Sequence, residues 1–168
     1  MTRRASAGRL IRFHTLRHEQ WVPRPLEHAW AFFSNARNLE AITPPWLGFR
    51  VLDTGPIRMQ AGTLIRYRIR WHGVPIGWAT RIRGWDPPRR FTDVQESGPY
   101  ALWHHSHRFA AKDGGTQISD VVRYRLPCGL AGRMAHALRV DRDLKEIFKY
   151  RHERVQELLG DGADGDAR

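Results

Sequence analysis

The sequence is short of cysteine and of long apolar runs, and each shortage excludes a class of protein. Its single cysteine excludes an internal disulfide and any zinc site built from several cysteines. No apolar run approaches the roughly 20 residues that cross a bilayer, and the basic N-terminus lacks the apolar core of a secretory signal. We therefore expect a cytoplasmic protein without a transmembrane segment.

Several catalytic motifs are missing as well. The sequence contains no Gly-x-Ser-x-Gly nucleophile motif, no phosphate-binding loop and no dinucleotide-binding fingerprint. Nothing therefore indicates a serine nucleophile or a bound nucleotide, and we expect no cofactor.

Acidic residues are also few. The chain has 17 aspartates and glutamates against 28 lysines and arginines, which gives a formal net charge of +11. A field of this sign attracts anions and nucleic acid without sequence preference. The length of 168 residues and the 41% hydrophobic content suit one globular domain. We expect that domain over residues 11–159, with a flexible basic arm over 1–10 and a flexible tail over 160–168.

Hydrophobic spacing predicts an α+β fold that begins with a strand over residues 11–22. A helix should follow at Pro25, because proline suits the first helical position and the next apolar residues recur at helical spacing. A second short helix over 35–42 should end at Thr43, which precedes two prolines. The apolar face of the first helix contains Leu26, Ala29, Trp30 and Phe33.

Beyond residue 48 the hydrophobic period changes to two, which is typical of strands. Residues 65–71, for example, alternate apolar side chains with arginines. The pattern predicts six antiparallel strands up to residue 126 and a final helix over 131–159. A twisted sheet of seven strands curls, and its concave face would cover the apolar stripe of that helix. The strands are separated by turns at His72-Gly73, Asp86-Pro87-Pro88, Ser97-Gly98-Pro99 and Asp113-Gly114-Gly115.

Six groups of residues along the chain form recognisable motifs. They are Ile42-Thr43-Pro44-Pro45-Trp46, Met59-Gln60-Ala61-Gly62, Trp85-Asp86-Pro87-Pro88-Arg89-Arg90-Phe91-Thr92-Asp93, Gly98-Pro99-Tyr100, Trp103-His104-His105-Ser106-His107-Arg108-Phe109, and Gly114-Gly115-Thr116 with Asp120. Over about residues 11–158 the chain resembles the START/Bet v 1-like helix-grip superfamily, also called SRPBCC or polyketide cyclase/dehydrase-like. Within it the chain is most similar to a branch of small bacterial ligand-binding proteins of unassigned substrate.

The resemblance implies a specific architecture. A helix-grip fold wraps a curved antiparallel seven-stranded sheet around a long C-terminal helix and has two short helices after the first strand. It encloses a cavity between the sheet and the long helix. The resemblance implies an apolar or amphipathic ligand there, such as a lipid, a sterol or a polyketide.

Strand alternation places five polar residues on the apolar face of the predicted sheet. They share strand faces with large apolar residues such as Phe91, Trp103 and Tyr124. Burying an unpaired polar group costs on the order of a few kcal/mol. These residues must therefore pair with one another, with water or with a ligand. The five are Asp93, Gln95, His105, His107 and Asp120.

Four interpretations of these five residues remain open. They form either a self-satisfied network that fixes strand register or a pocket lining that orients the polar end of a ligand. A third interpretation is a catalytic pair in which His105 or His107 acts as a general acid or base. A metal site would combine both histidines with Asp93 or Asp120. The two-residue histidine spacing is a weak signal and the branch that the chain resembles is not known for a metal, so we expect none.

The apolar walls of the cavity should come from Tyr67, Trp78 and Trp103 on the sheet and from Phe148 on the last helix. Our first hypothesis is therefore a protein that binds a small apolar or amphipathic molecule, anchored by the polar residues. The second is an enzyme of the cyclase, dehydratase or hydrolase kind that uses a pocket histidine. Trp46 follows two prolines where the helical segment joins the sheet, and exposure there would favour a portal or a partner contact.

A third hypothesis concerns the outer face of the sheet, where arginines are concentrated. That face is either a solvated surface protected against aggregation or a docking surface for nucleic acid, an anionic membrane or an acidic protein. Nucleic acid is possible but not favoured, because the face lacks interleaved aromatic residues and any recognised nucleic-acid motif. The arginines are Arg66, Arg68, Arg70, Arg81, Arg83, Arg123 and Arg125.

Overall fold

The computed structural model describes the chain over residues 13–127 and 130–160, with side chains described over 13–127 and 139–160. The predicted basic arm over 1–10 and the predicted tail beyond Gly160 lie outside the described residues. Within the described part, the strands and helices follow the predicted order.

Seven antiparallel strands form one sheet in the order β1-β7-β6-β5-β4-β3-β2. Strand β1 pairs with β7, whereas each later strand pairs with its neighbour in sequence. The predicted seven-stranded α+β fold is therefore confirmed. The strands are β1 (His14–Val22), β2 (Arg50–Val51), β3 (Leu64–Trp71), β4 (Val74–Asp86), β5 (Arg90–Ser97), β6 (Leu102–Lys112) and β7 (Gly115–Arg125).

Three helices and one 3-10 turn complete the described fold. Helix α3 has 30 residues and is therefore about 45 Å long at 1.5 Å per residue. Its buried side chains recur at helical spacing and face the sheet: Val140, Leu144, Phe148, Val155 and Leu159. None of the described helices is both long and apolar enough to cross a membrane. The elements are α1 (Leu26–Phe33), α2 (Asn38–Ala41), the 3-10 turn (Pro45–Leu47) and α3 (Leu130–Leu159).

The alternation in β3 separates the two faces of the sheet as predicted. Ile65, Tyr67 and Ile69 are buried under the helices, and the arginines between them are exposed. Strand β6 follows the same rule, so its odd-numbered residues from Trp103 to Phe109 are buried. Because successive side chains of a strand point to opposite faces, the polar residues at odd positions of β6 are drawn into the interior with the apolar ones.

The turn between β3 and β4 lies at His72-Gly73, as predicted. Both turn residues have a positive φ, His72 at 48° and Gly73 at 84°. Two consecutive positive φ angles give a two-residue turn the twist that matches its flanking strands. Strand β4 then shifts register between Ala79 and Thr80 and again between Ile82 and Gly84, and such irregularities bend a strand.

Arg24, in the segment between β1 and α1, hydrogen-bonds to the C-terminal end of α3. Its Nε donates to the carbonyl oxygen of Leu159 at 3.2 Å, and its Nη2 donates to that of Gly160 at 3.0 Å. The amide of Gly160 also donates to the carbonyl oxygen of Gln156. Gly160, which the sequence assigned to the tail, is therefore bonded to the body of the fold.

Candidate functional site

The concave face of the sheet, the α1–α2 segment and α3 enclose a cavity of about 450 Å³. Ligand pockets commonly measure roughly 300–1,000 Å³, so this cavity is large enough for a small organic molecule. Aromatic and aliphatic side chains make most of its wall. Those from the sheet include Ile65, Tyr67, Ile69, Trp71, Ile76, Trp78, Ile82, Phe91 and Trp103, and those from α3 include Val140, Leu144, Ile147 and Phe148.

Seven of the nine predicted ligand-binding residues line this cavity: Tyr67, Trp78, Asp93, Trp103, His105, His107 and Phe148. The other two, Gln95 and Asp120, do not line it. Gln95 uses both ends of its amide on the backbone of Tyr100: its Nε2 donates to the carbonyl oxygen at 2.7 Å, and its Oε1 accepts from the amide at 3.3 Å. Gln95 therefore stabilises the connection between β5 and β6 through two hydrogen bonds. Asp120 lies behind the wall, with 1% of its surface exposed.

Two aspartates and two histidines form a compact buried cluster at one side of the cavity. Oδ1 of Asp120 lies 2.9 Å from Nε2 of His105 and 2.7 Å from Nδ1 of His107. Oδ2 of Asp93 lies 3.1 Å from Nε2 of His107 and 3.6 Å from Nδ1 of His105. Each carboxylate is thus close to both imidazoles, whose ring centres are 3.8 Å apart.

Strand register brings these four residues together. Asp93 on β5 is opposite His105 on β6, and His107 on β6 is opposite Asp120 on β7. Residues that face each other across antiparallel strands have Cβ atoms about 4.5–5.5 Å apart, and diagonal neighbours remain within reach of long side chains. The cluster therefore results from three adjacent strands that carry ionisable groups on the same face.

Protein groups satisfy this cluster only in part. His105 and His107 each form one aligned hydrogen bond through Nε2, to Asp120 and to Asp93 respectively. Nδ1 of His107 is close to Oδ1 of Asp120 but is not aligned for a hydrogen bond. Oδ2 of Asp120 accepts no hydrogen bond from the described residues. An unsatisfied buried polar atom costs about 1–3 kcal/mol, so a further polar partner at either atom would stabilise the cluster.

Burial and the charges within the cluster shift the pKa values of its four ionisable groups in different directions. Burial raises the pKa of both carboxyls, but the two histidines outweigh it, so that the pKa of Asp93 is lowered and that of Asp120 is lowered well below its ordinary value. Burial and the charge of His107 lower the pKa of His105. Burial also disfavours a charged His107, but both carboxylates outweigh it and raise its pKa.

Two charged residues at the cavity were not anticipated from the sequence, and both lie on α3. Arg151 lines the cavity, and its charge contributes to the lowered pKa of Asp93. Asp143 also lines it and accepts the indole N–H of Trp71 at 2.8 Å. The signal for Arg151 was its spacing: it follows Phe148 by three residues and Ile147 by four, which places it beside the apolar stripe.

Two polar groups of the sheet wall complete the site. The hydroxyls of Tyr67 and Thr80 share a 2.6 Å hydrogen bond. Trp78 stacks against Tyr67 with ring centres 5.7 Å apart. The buried indole Nε1 of Trp78 has no hydrogen-bond partner among the described residues. Other atoms of Trp78 line the cavity.

Trp46 lies on the 3-10 turn beside the cavity and is 58% exposed. Its ring packs edge-on against Tyr150 of α3, with ring centres 5.5 Å apart. The neighbouring residues Thr43 and Leu47 line the cavity. Because Trp46 is exposed, a portal or a partner contact is the favoured interpretation of this position.

The outer face of the sheet is partly neutralised. Glu96 lies 2.7 Å from Arg81 and 2.9 Å from Arg83, and Asp53 lies 3.3 Å from Arg66. These pairs are exposed and contribute little to stability. They nevertheless reduce the positive charge that the face presents, so we place the candidate site in the cavity.

Comparisons with known proteins agree with this architecture. Residues 22–147 match a family model described as polyketide cyclase / dehydrase and lipid transport. Among curated proteins, none matches the chain.

Solved structures show the same fold at low sequence identity. Protein Ms6760 from Mycobacterium smegmatis is 20% identical, with a TM-score of 0.64 over 86% of this chain and 90% of that one. The Zhui aromatase/cyclase from Streptomyces sp. R1128 is 17% identical, with a TM-score of 0.63 over 93% of this chain and all of that one. A START superfamily protein from Mycobacterium smegmatis is 14% identical, with a TM-score of 0.60 over 86% of this chain and 99% of that one.

Proposed function

The chain belongs to the family of polyketide cyclase/dehydrase and lipid transport proteins, and on that premise we propose that it binds one small apolar or amphipathic molecule in the cavity between the sheet and α3. The observation that carries this proposal is the cavity itself. Its volume of about 450 Å³ and its aromatic walls suit a ligand with an apolar body.

The polar groups of the cavity wall indicate that the ligand also has a polar end. Arg151 on α3 offers a guanidinium. Its N–H groups are donors, so they would recognise acceptor oxygens such as those of a carboxylate, a phenol or a ketone. The Asp–His cluster on the sheet supplies the acceptors. An amphipathic ligand would satisfy both kinds of group at once.

The proposal is tested by filling the cavity. Ile69 is buried in the wall, so Ile69→Trp would occupy part of its volume, at a cost of about 1–3 kcal/mol in stability from overpacking. The control is Val74→Trp, because Val74 is 61% exposed and the same side chain is introduced.

The measurement is titration with 1-anilinonaphthalene-8-sulfonate, with circular dichroism to show that each variant is folded. We expect one saturable site in the wild type, an affinity at least tenfold lower in Ile69→Trp and an unchanged affinity in Val74→Trp. Equal binding by all three proteins would place the probe outside the cavity and defeat the proposal. Native mass spectrometry of the freshly purified protein would identify a ligand that co-purifies.

A second candidate function is catalysis by a cofactor-independent cyclase or dehydratase. It is favoured by the position of His105 and His107, which line the cavity and are each bonded to a carboxylate. The Zhui aromatase/cyclase, which has a similar fold, adds support. The test compares small molecules extracted from the wild type and from His107→Gln. A dehydratase accumulates product in one and substrate in the other, so the masses differ by one water, whereas a binding protein yields the same compound from both.

We propose the cytoplasm as its compartment, because a chain with one cysteine gains no internal disulfide from an oxidising environment. Fractionation of cells that express the full chain would test this.

A further inference from the structure

We propose that Asp93, His105 and His107 form a binding site for one divalent transition-metal ion in the cavity wall. The spacing of the two histidines alone did not indicate this, and the sequence led us to expect no metal. The inference goes beyond the proposed function, since an apolar ligand can be bound without a metal.

The first argument is the convergence of three ligand atoms. Oδ2 of Asp93 lies 3.1 Å from Nε2 of His107 and 3.6 Å from Nδ1 of His105, and one ligand atom from each residue lies within 4.8 Å of the other two. Metal bonds of about 2.0–2.2 Å with angles between 90° and tetrahedral hold ligand atoms roughly 3.0–3.5 Å apart. The three side chains therefore need only small movements to enclose an ion.

The second argument is the position of Asp120. A metal-bound histidine usually bonds through its other ring nitrogen to a carboxylate, which fixes its tautomer and orientation. Oδ1 of Asp120 lies 2.9 Å from Nε2 of His105 and 2.7 Å from Nδ1 of His107. These are the nitrogens that face away from Asp93. One carboxylate behind the wall thus hydrogen-bonds to His105 and lies close to the outer ring nitrogen of His107, and the opposite nitrogen of each imidazole is turned to Asp93.

The third argument is charge. Two buried carboxylates bring two negative charges into a site where neither is exposed by more than 16% of its side chain. A divalent cation held by two neutral imidazoles would balance these charges. Buried charges of one sign are costly unless they are paired or coordinate a metal, so the composition of the cluster matches a +2 ion.

The donor set indicates which ions fit. Two imidazoles and one carboxylate suit Zn²⁺, Fe²⁺, Co²⁺ or Ni²⁺, whereas Mg²⁺ and Ca²⁺ prefer oxygen ligands. Because Asp93, His105 and His107 line the cavity and Asp120 does not, the remaining coordination positions would point into the cavity. Three protein ligands with open positions are typical of catalytic metal sites and not of structural ones. An oxygen at the polar end of the cavity ligand could then coordinate the ion.

The test uses the full chain after treatment with a chelator, titrated with Co²⁺ and followed by its visible absorption and by calorimetry. We expect one equivalent to bind, with absorption bands that indicate nitrogen ligation. His107→Gln and Asp93→Asn should lower the affinity at least a hundredfold, and Asp120→Asn should lower it about 10–100-fold. The matched control is His104→Asn, which changes a neighbouring histidine on the opposite face of β6 and should bind Co²⁺ as the wild type does.

Two results would overturn the inference: no bands and no heat in the folded wild type, or equal loss of affinity in His104→Asn and His107→Gln. The first of these results is measured on the wild type alone, so the test can be completed even if a variant fails to fold. Probe binding is measured on the same metal-free protein. If the probe binds and Co²⁺ does not, the metal site is refuted and the proposed function is retained. If Co²⁺ binds and the probe does not, the proposed function is refuted and the metal site is retained.

Discussion

The indole Nε1 of Trp71 donates a 2.8 Å hydrogen bond to Oδ2 of Asp143, and this bond joins the end of β3 to α3. The same oxygen lies 2.9 Å from Nε2 of His72 in the following turn. Trp71 and Asp143 both line the cavity. The hairpin and the helix are thus joined by side-chain hydrogen bonds where the sheet wall meets α3.

We expect Asp143→Ala to loosen that link. Loss of a hydrogen bond to a charged acceptor costs about 1.5–3 kcal/mol, and the partial exposure of Asp143 places the expected cost at the lower end. Amide hydrogen exchange in the β3–β4 hairpin should accelerate, and the fluorescent probe should dissociate faster. The control is Asp141→Ala, which removes an exposed helix pair with Lys145. Equal effects of the two substitutions would contradict the role of the link.

Asp120→Asn should destabilise the protein strongly. The substitution keeps the size of the side chain but removes the charge that both histidines approach. Breaking a buried ion pair by removing one partner costs about 3–5 kcal/mol. Urea unfolding of the chelator-treated protein would measure the change. Asp86→Asn, at an exposed position paired with Arg89, should leave the midpoint unaltered, and a similar midpoint for both variants would show that the cluster does not stabilise the fold.

The buried tyrosines predict a loss of stability at alkaline pH. Burial raises the pKa of Tyr67, Tyr100 and Tyr124. Because the folded pKa exceeds the unfolded value of about 10, the contribution of these phenols is complete below pH 10 and is lost as the pH rises towards the folded pKa. The ultraviolet absorbance of their ionised form should therefore appear together with unfolding. Absorbance corresponding to more than one of the four tyrosines near pH 10, while circular dichroism is still native, would contradict this prediction.

Gly115 should tolerate no side chain. It begins β7, and a Cβ at this position would collide with the carbonyl oxygen of Val22 and with the indole of Trp21. Both obstacles lie on β1, the partner strand of β7, so Gly115→Ala should force the strands apart and cost about 1–3 kcal/mol. Gly55→Ala is the control, because a Cβ there has no neighbour within 4 Å. Thermal unfolding of both variants would compare them, and equal melting temperatures would refute the collision.

The order of elements and the face of each strand were predictable from the sequence. The alternation in β3 and the apolar stripe of α3 are local patterns, since the periods of two and 3.6 residues depend only on neighbours along the chain. For the same reason the sequence assigned Asp93, His105, His107 and Asp120 to one face of the sheet. The family resemblance was also accessible, because it was recognised from short motifs in the sequence, and the family model matches residues 22–147.

The roles within that face were decided by tertiary structure. Asp120 lies behind both histidines because the register of β6 with β7 sets it opposite His107, and Gln95 is turned to the backbone of Tyr100 instead of the cavity. Neither outcome depends on the alternation pattern. Arg151 was missed because the packing of α3 on the sheet decides which residues beside its apolar stripe face the cavity.

The amino-acid sequence by itself therefore determined the fold class, the curled sheet and the presence of polar groups on its concave face, because these follow from local periodicity. Only the tertiary structure decided that two aspartates and two histidines meet within hydrogen-bonding distance, and that Asp143 and Arg151 of α3 line the same cavity. The physical reason is that such contacts join residues from β5, β6, β7 and α3, and their geometry is set by strand register and by the packing of the helix on the sheet.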